Sequence, residues 1–169
     1  MVTLQFIFKS KKCIEKVIEE IKSDPTSRRI IMTDFNPLQV NQGVLYPCHS
    51  IIIQFYVQDG YLDMFCYNRS SDLFLGLPFN IASSSLLLMI IAKLTNLTPR
   101  YFNLSLGDVH IYSNHVEQVK EQIERIPYIS PRIILPDIME INDIKNITYK
   151  DFELLEYSCY PSIKAEMIA

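Results

Sequence analysis

The chain has 169 residues, 49% of them apolar, with a formal charge of -3 and a pI near 5.6. That length fits one domain, residues 1–169, with enough apolar content for a sizeable core. The weak negative charge argues against a duplex-binding surface, so no nucleic acid partner is expected, while a local basic pocket for one phosphate stays open.

In chain order, the first eight residues have no cationic region before them and no small-residue cleavage site after them, so no signal peptide is expected. Ile14, Val17, Ile18 and Ile21 recur at helical spacing with Glu15, Glu19 and Lys22 on the other face, an amphipathic helix ended by Asp24-Pro25. Arg29 to Asp34 reads as a strand, and Asn36-Pro37 opens a polar loop running to Pro47. Ile51 to Val57 and Tyr61 to Asn68 form a hairpin about Gln58-Asp59-Gly60. From Ile81 to Leu94 apolar residues occupy every face, the pattern of a central helix. Its greasiest run, Leu86 to Ile91, is cut by Lys93, Thr95 and Asn96 well below the roughly 20 residues that span a bilayer. No membrane association is expected.

Thr98-Pro99 stops that helix, and Tyr101 to Tyr112 returns as a strand. Asn114 with Glu117 three residues on resembles a capping box that opens a helix to about Arg125. Short strands follow at Arg132 to Leu135 and Phe152 to Tyr157. There is no internal repeat and no linker dividing two domains. The order of elements predicts an α+β fold, a mixed sheet covered by helices in α/β-type layers.

Polar clusters stand at strand ends, where a fold holds reactive groups in fixed geometry: Cys48-His49, then Arg69-Ser70-Ser71-Asp72 with Asn80, then Gly107 to Tyr112. A lone cysteine after proline is ordinarily a packed or idle thiol, but a guanidinium nearby stabilises the thiolate that attacks and also grips phosphate. Asp108, His110 and Tyr112 share one strand face by the period-two rule, which an apolar core would not tolerate without partners. Asn80 suits a helix N-cap as well as a ligand contact. The four cysteines, Cys13, Cys48, Cys66 and Cys159, lie apart with no C-x-x-C pair, as in a reducing compartment, and a cytoplasmic location is expected. His110 and His115 are five apart and would lie on different helix faces, and Cys48-His49 point opposite ways if extended, so no metal is expected.

The segments DPTSRRI (24–30), PCHS (47–50), QFYVQDG (54–60), NRSSDLFLGLPFNIAS (68–83), GDVHIYSNH (107–115) and YPSIKA (160–165) closely resemble thymidylate synthase, in family order from about Cys13 onward. The resemblance implies reductive methylation of dUMP to dTMP, with 5,10-methylenetetrahydrofolate as co-substrate and no metal. It makes Cys48 the nucleophile that adds to C6 of uracil, and Arg69 the residue that binds the phosphate and holds Cys48 as thiolate. Ser70 would add a phosphate contact, Ser71 would be among the substrate-binding residues, and Arg28 and Arg29 would reach into the partner's phosphate site, which implies an isologous homodimer.

Asn80 matches the residue that reads the pyrimidine, accepting from N3–H and donating to O4. The related dCMP hydroxymethylases have aspartate there, so Asn80 favours dUMP. His110 and Tyr112 match residues that bond the deoxyribose 3′-hydroxyl, and Asp72 matches the carboxylate that holds the pterin. Gly76 and, in the closing tail, Ile168 fall on the folate side.

The chain also departs from the family pattern. Asn68 stands where glutamine is usual, one extra residue separates Cys48 from Gln54, and Glu166 replaces a proline in the tail. The family's first third is expected to be absent, with a further arginine, a proton-transfer glutamate and folate-lining aromatics; the chain has no tryptophan. A positioned proton-transfer group is commonly worth about 10² to 10⁴ in rate. The alternatives are therefore a working thymidylate synthase portion completed elsewhere, a non-catalytic remnant that binds nucleotide or pairs with an intact subunit, or an upstream fusion to dihydrofolate reductase.

Overall fold

The computed structural model describes residues 11–33, 35–38 and 51–167. Helix α1 (Lys11–Ser23) leads to strand β1 (Ile31–Thr33), then β2 (Ile52–Gln58), β3 (Tyr61–Asp72), helix α2 (Leu77–Leu94) and β4 (Thr98–His110). Helix α3 (Val116–Ile123) and two short strands, β5 (Arg132–Ile134) and β6 (Glu153–Leu155), complete the order. The sheet runs β1-β2-β3-β4, antiparallel at the first two pairings and parallel at β3–β4, so it is mixed as the sequence predicts. The strands β5 and β6 pair separately and antiparallel.

The hairpin turn is dictated locally. Asp59 and Gly60 both take positive φ, 52° and 79°, the pattern of a type I′ turn whose twist matches the flanking strands. Strand alternation then sorts side chains. Met32, Ile53 and Cys66 lie in one row across the strands and are buried, while Ile31, Gln54, Phe65 and Asn103 form the neighbouring row on the opposite, open face. Ile14, Val17, Ile18 and Ile21 of α1 enter the core with Leu87, Leu88, Ile90 and Ile91 of α2. Each such fully buried aliphatic side chain contributes about 1.5–3 kcal/mol.

Helix α2 corrects three sequence expectations. It begins at Leu77 with Pro78 in its first turn, ahead of Ile81, and Gly76 rather than Asn80 stands at its N-cap. It is not covered on every face, for Phe79 is 73% and Ile81 43% exposed. By length and apolar content alone it could cross a bilayer, yet its second half is embedded in the core. It ends at Leu94 as the sequence predicts, but the stop is local and not Thr98-Pro99: Asn96 adopts φ 55°, Leu97 N–H donates to Ala92 O at 2.9 Å and Asn96 N–H to Lys93 O at 3.3 Å. This is a Schellman ending with asparagine in the left-handed position. Pro99 instead lies within β4, an edge strand of the described sheet, where a missing N–H is tolerated.

The capping box expected at Asn114 does not form. Ser113–His115 is a 3₁₀ turn, and α3 starts after it without a side-chain cap. A capping box does close the short turn at Thr148, whose hydroxyl accepts from Lys150 N–H while Asp151 accepts from Thr148 N–H at 2.6 Å.

Where β3 and β4 begin their pairing, the register slips between Leu62 and Met64, so Arg100 and Tyr101 both face Asp63. Arg100 grips Asp63 through two bonds of 3.0 and 2.7 Å, and Tyr101 N–H donates to the same carboxylate at 3.0 Å. The Arg100 hydrogen bonds, with the Tyr101 N–H, hold the Asp63 carboxyl below its ordinary 3.8. A depressed carboxylate pKa stabilises the fold above the unfolded value, and the gain is lost as pH falls through the folded one. Asp63→Asn is therefore expected to lower the urea midpoint at neutral pH. The gap from the parent chain should stay constant well above pH 3.8 and close as pH falls below it; a gap that persists in acid would assign the effect to shape rather than charge.

Candidate active site

Parallel pairing places the carboxyl ends of β3 and β4 side by side, the position at which α/β sheets commonly bind ligands. Ser70 pairs with Asp108, Ser71 with Val109 and Asp72 with His110, and Leu73 N–H extends the ladder to His110 O at 3.0 Å. Two polar clusters separated by some forty positions in sequence thus become one edge-to-edge group. Strand β3 runs four residues beyond Asn68, where the sequence suggests it ends.

After β3 the chain turns sharply. Asp72 Oδ1 accepts from Phe74 N–H at 3.0 Å, and a Cβ on Gly76 would lie 3.1 Å from the Asp72 carbonyl oxygen, a tight contact that favours glycine there. Asn80 N–H donates to Gly76 O at 3.1 Å, which sets Asn80 in the first turn of α2, past the cap. Its side chain is not spent on capping, which removes the ordinary structural explanation for an asparagine at this position.

Within the group, Arg69 and Asp108 are exposed, Ser70, Asp72, His110 and Tyr112 are half-buried, and Ser71 is buried. The Ser71 hydroxyl and His110 Nδ1 are enclosed without a partner among the described residues. Tyr112 meets His110 edge-on, with ring centroids 5.1 Å apart, as expected of residues two apart on one face. Asn68 is fully buried at the base of the group.

Gly107 fixes how closely the strands approach. A Cβ there would fall 2.7 Å from Arg69 O, 2.8 Å from the Tyr67 hydroxyl and 3.1 Å from Asn68 O.

The sequence assigns no role to one residue of the site. His115 is fully buried between Phe74 and Tyr112, and its Nε2 lies 2.7 Å from the backbone carbonyl of Glu166 in the tail. Spacing suggested only that it could not share a metal with His110. In the fold Tyr112 contacts both rings, and among the described residues no cluster of three metal-ligating side chains occurs.

Cys48, with His49, and Ile168 lie outside the described residues. Arg28 and Arg29 do not join the group. They lie in the turn before β1, whose first residue Ile31 is level with Gln54 and with Phe65, itself four positions before Arg69 on β3. Arg29 instead lines a cleft of about 620 Å³ between α1 and β1 together with Lys12 and Lys16.

The family model described as thymidylate synthase matches residues 9–169. This chain belongs to the thymidylate synthase family. It is 52% identical over 155 residues to the thymidylate synthase of Aster yellows witches'-broom phytoplasma (strain AYWB). It is 49% identical over 154 residues to that of Mycoplasma pneumoniae (strain ATCC 29342 / M129 / Subtype 1). Each alignment covers 91% of this chain and 52% of the relative. The chain therefore spans about half the length of the thymidylate synthases it matches.

Proposed function

We propose that the chain is the nucleotide-binding and nucleophile-bearing portion of a thymidylate synthase, acting on dUMP with 5,10-methylenetetrahydrofolate. The observation that supports this best is the joining of Arg69–Asp72 to Asp108–His110 by parallel pairing, with Tyr112 and Asn80 following from the same two strands. Uracil C5 is a poor nucleophile. Addition of the Cys48 thiolate to C6 makes an enolate whose C5 attacks the iminium carbon of the folate; loss of the C5 proton and of the folate amine leaves an exocyclic methylene, and hydride from the folate completes the methyl group as the C6–S bond breaks, releasing the thiolate and dihydrofolate. Arg69 and Ser70 take the phosphate, and the Arg69 charge favours the thiolate.

His110 and Tyr112 take the 3′-hydroxyl. Asn80 accepts from N3–H and donates to O4, a pattern that cytosine inverts, and with neighbours that lock the amide this favours dUMP over dCMP. Asp72 uses Oδ1 on Phe74 N–H and keeps its other oxygen for the pterin, with Gly76 and Ile168 on the folate side. Exposed Cys13 and Cys159, outside any disulfide, suit a reducing cytoplasm.

The working unit is a homodimer completed by the rest of the family's length. Arg28 and Arg29 lie outside the Arg69 group, which favours their use in a partner's phosphate site, and the open sheet face bearing Ile31, Tyr56 and Phe65 offers a surface for pairing. Phe79 and Ile81 stand exposed near a groove of about 520 Å³ lined by Leu86, Met89, Ile133 and Leu154. Such apolar surface calls for cover, and the remaining half of the family's chain is the occupant that its length suggests.

The test is intact mass after incubation with 5-fluoro-dUMP and methylenetetrahydrofolate, with and without the amino-terminal half of the phytoplasma relative. A ternary adduct on Cys48 is expected only when that half is present. An adduct without it would remove the need for completion. Absence of an adduct in both preparations would leave the chain a non-catalytic member of its family.

A further inference from the structure

One buried imidazole ties the tail of the chain into the candidate site. The His115 ring is 0% exposed, 5.5 Å from Phe74 and 5.6 Å from Tyr112, both rings inclined steeply to it. Phe74 belongs to the turn that Asp72 stabilises, and Tyr112 stands two residues past the end of β4. Held there, His115 Nε2 meets the Glu166 carbonyl oxygen at 2.7 Å across 51 positions of sequence. A carbonyl oxygen only accepts, so Nε2 carries the proton of this bond. Nδ1 is enclosed with no partner among the described residues, which leaves the tail carbonyl as the ring's polar contact there.

We propose that His115 is a positioning residue that seats the carboxy-terminal tail against the Asp72–Phe74 turn and Tyr112. Its importance for turnover rests on the function proposed above, whereas the contact itself does not. The ring is held by two aromatic neighbours before the tail arrives, so docking immobilises little beyond the tail. Release of the tail would take the acceptor from His115 Nε2 and open the ring to solvent, which couples tail position to the packing of the very residues assigned to pterin and ribose. Because the acceptor is a main-chain carbonyl, the side chain at position 166 is not part of the seat. Glu166 can therefore replace the family's usual proline without loss of the contact.

Trimming of the intact chain by carboxypeptidase Y, followed by mass, reads this directly. His115→Phe keeps an aromatic ring but no donor, and removal of residues back through Met167 is expected to run about tenfold faster than in the parent, the scale of one lost hydrogen bond. His115→Gln, which keeps a donor, should restore most of the protection, and Glu166→Ala should match the parent. Equal trimming of His115→Phe and parent, or Glu166→Ala trimming as fast as His115→Phe, would overturn the proposal.

A second measurement needs no variant at His115. Diethylpyrocarbonate should leave His115 of the intact chain unmodified and acylate it once the tail has been trimmed past Glu166; equal modification before and after would also overturn it. Neither experiment involves nucleotide, so failure here leaves the proposed function standing, and failure to form the adduct leaves the seat standing.

Discussion

Cys48→Ala is expected to abolish the ternary adduct with 5-fluoro-dUMP in the completed protein while leaving the fold intact. In the proposed mechanism the thiolate supplies the bond that turns a uracil into an enolate, and alanine has no atom to form it, so the effect on adduct is total rather than graded. Arg69→Gln should be graded. On the proposed assignment it removes the charge that favours the thiolate and the grip on phosphate, and the adduct is expected to form about 10²- to 10³-fold more slowly, with recovery as pH is raised to ionise the thiol. Urea midpoints near that of the parent would show that neither change acts through stability. An undiminished adduct in Cys48→Ala would move the nucleophile to another residue and sink the mechanism.

Gly107→Ala carries the largest expected effect away from the reacting atoms. Its added Cβ would stand 2.7 Å from Arg69 O and 3.1 Å from Asn68 O, backbone atoms of the neighbouring strand that cannot swing aside as the Tyr67 hydroxyl can. The strands must part just before Ser70–Asp108 and Asp72–His110 pair. Overpacking of this kind costs about 1–3 kcal/mol. Displacing a binding group by even about 1 Å lowers the rate roughly 10²-fold. Both the urea midpoint and the adduct rate should fall.

Gly60→Ala makes the contrasting control. Nothing lies within 4 Å of a Cβ there, but φ is +79°, so the substitution should destabilise by about 1–2 kcal/mol and spare the adduct rate. Gly107→Ala behaving like Gly60→Ala would show that the strands carry slack at the site.

Much of the fold was legible from local pattern. The helical spacing of Ile14, Val17, Ile18 and Ile21, and Asp59-Gly60 between alternating strands, specify α1 and the hairpin through backbone sterics and face burial alone. The clusters RSSD and GDVHIY were visible because polar residues at strand ends stand out against apolar runs. Less legible were the true end of β3 at Asp72 and the start of α2 at Leu77. Polar residues at a strand end break the alternation, and Asn80 looks like a cap because capping chemistry and first-turn asparagine share one residue type.

By itself, the sequence determined the elements, the hairpin and the chemistry available at each cluster, since these follow from the period of burial and from side-chain functional groups. Only the tertiary structure decided that β4 lies parallel to β3 and brings His110 beside Asp72, that Arg28 and Arg29 stand outside the Arg69 group, and that His115 reaches Glu166. Parallel pairing and tail docking join residues 38 and 51 positions apart. No local preference encodes such contacts, which form when separated apolar faces find a common core and bring their polar ends together.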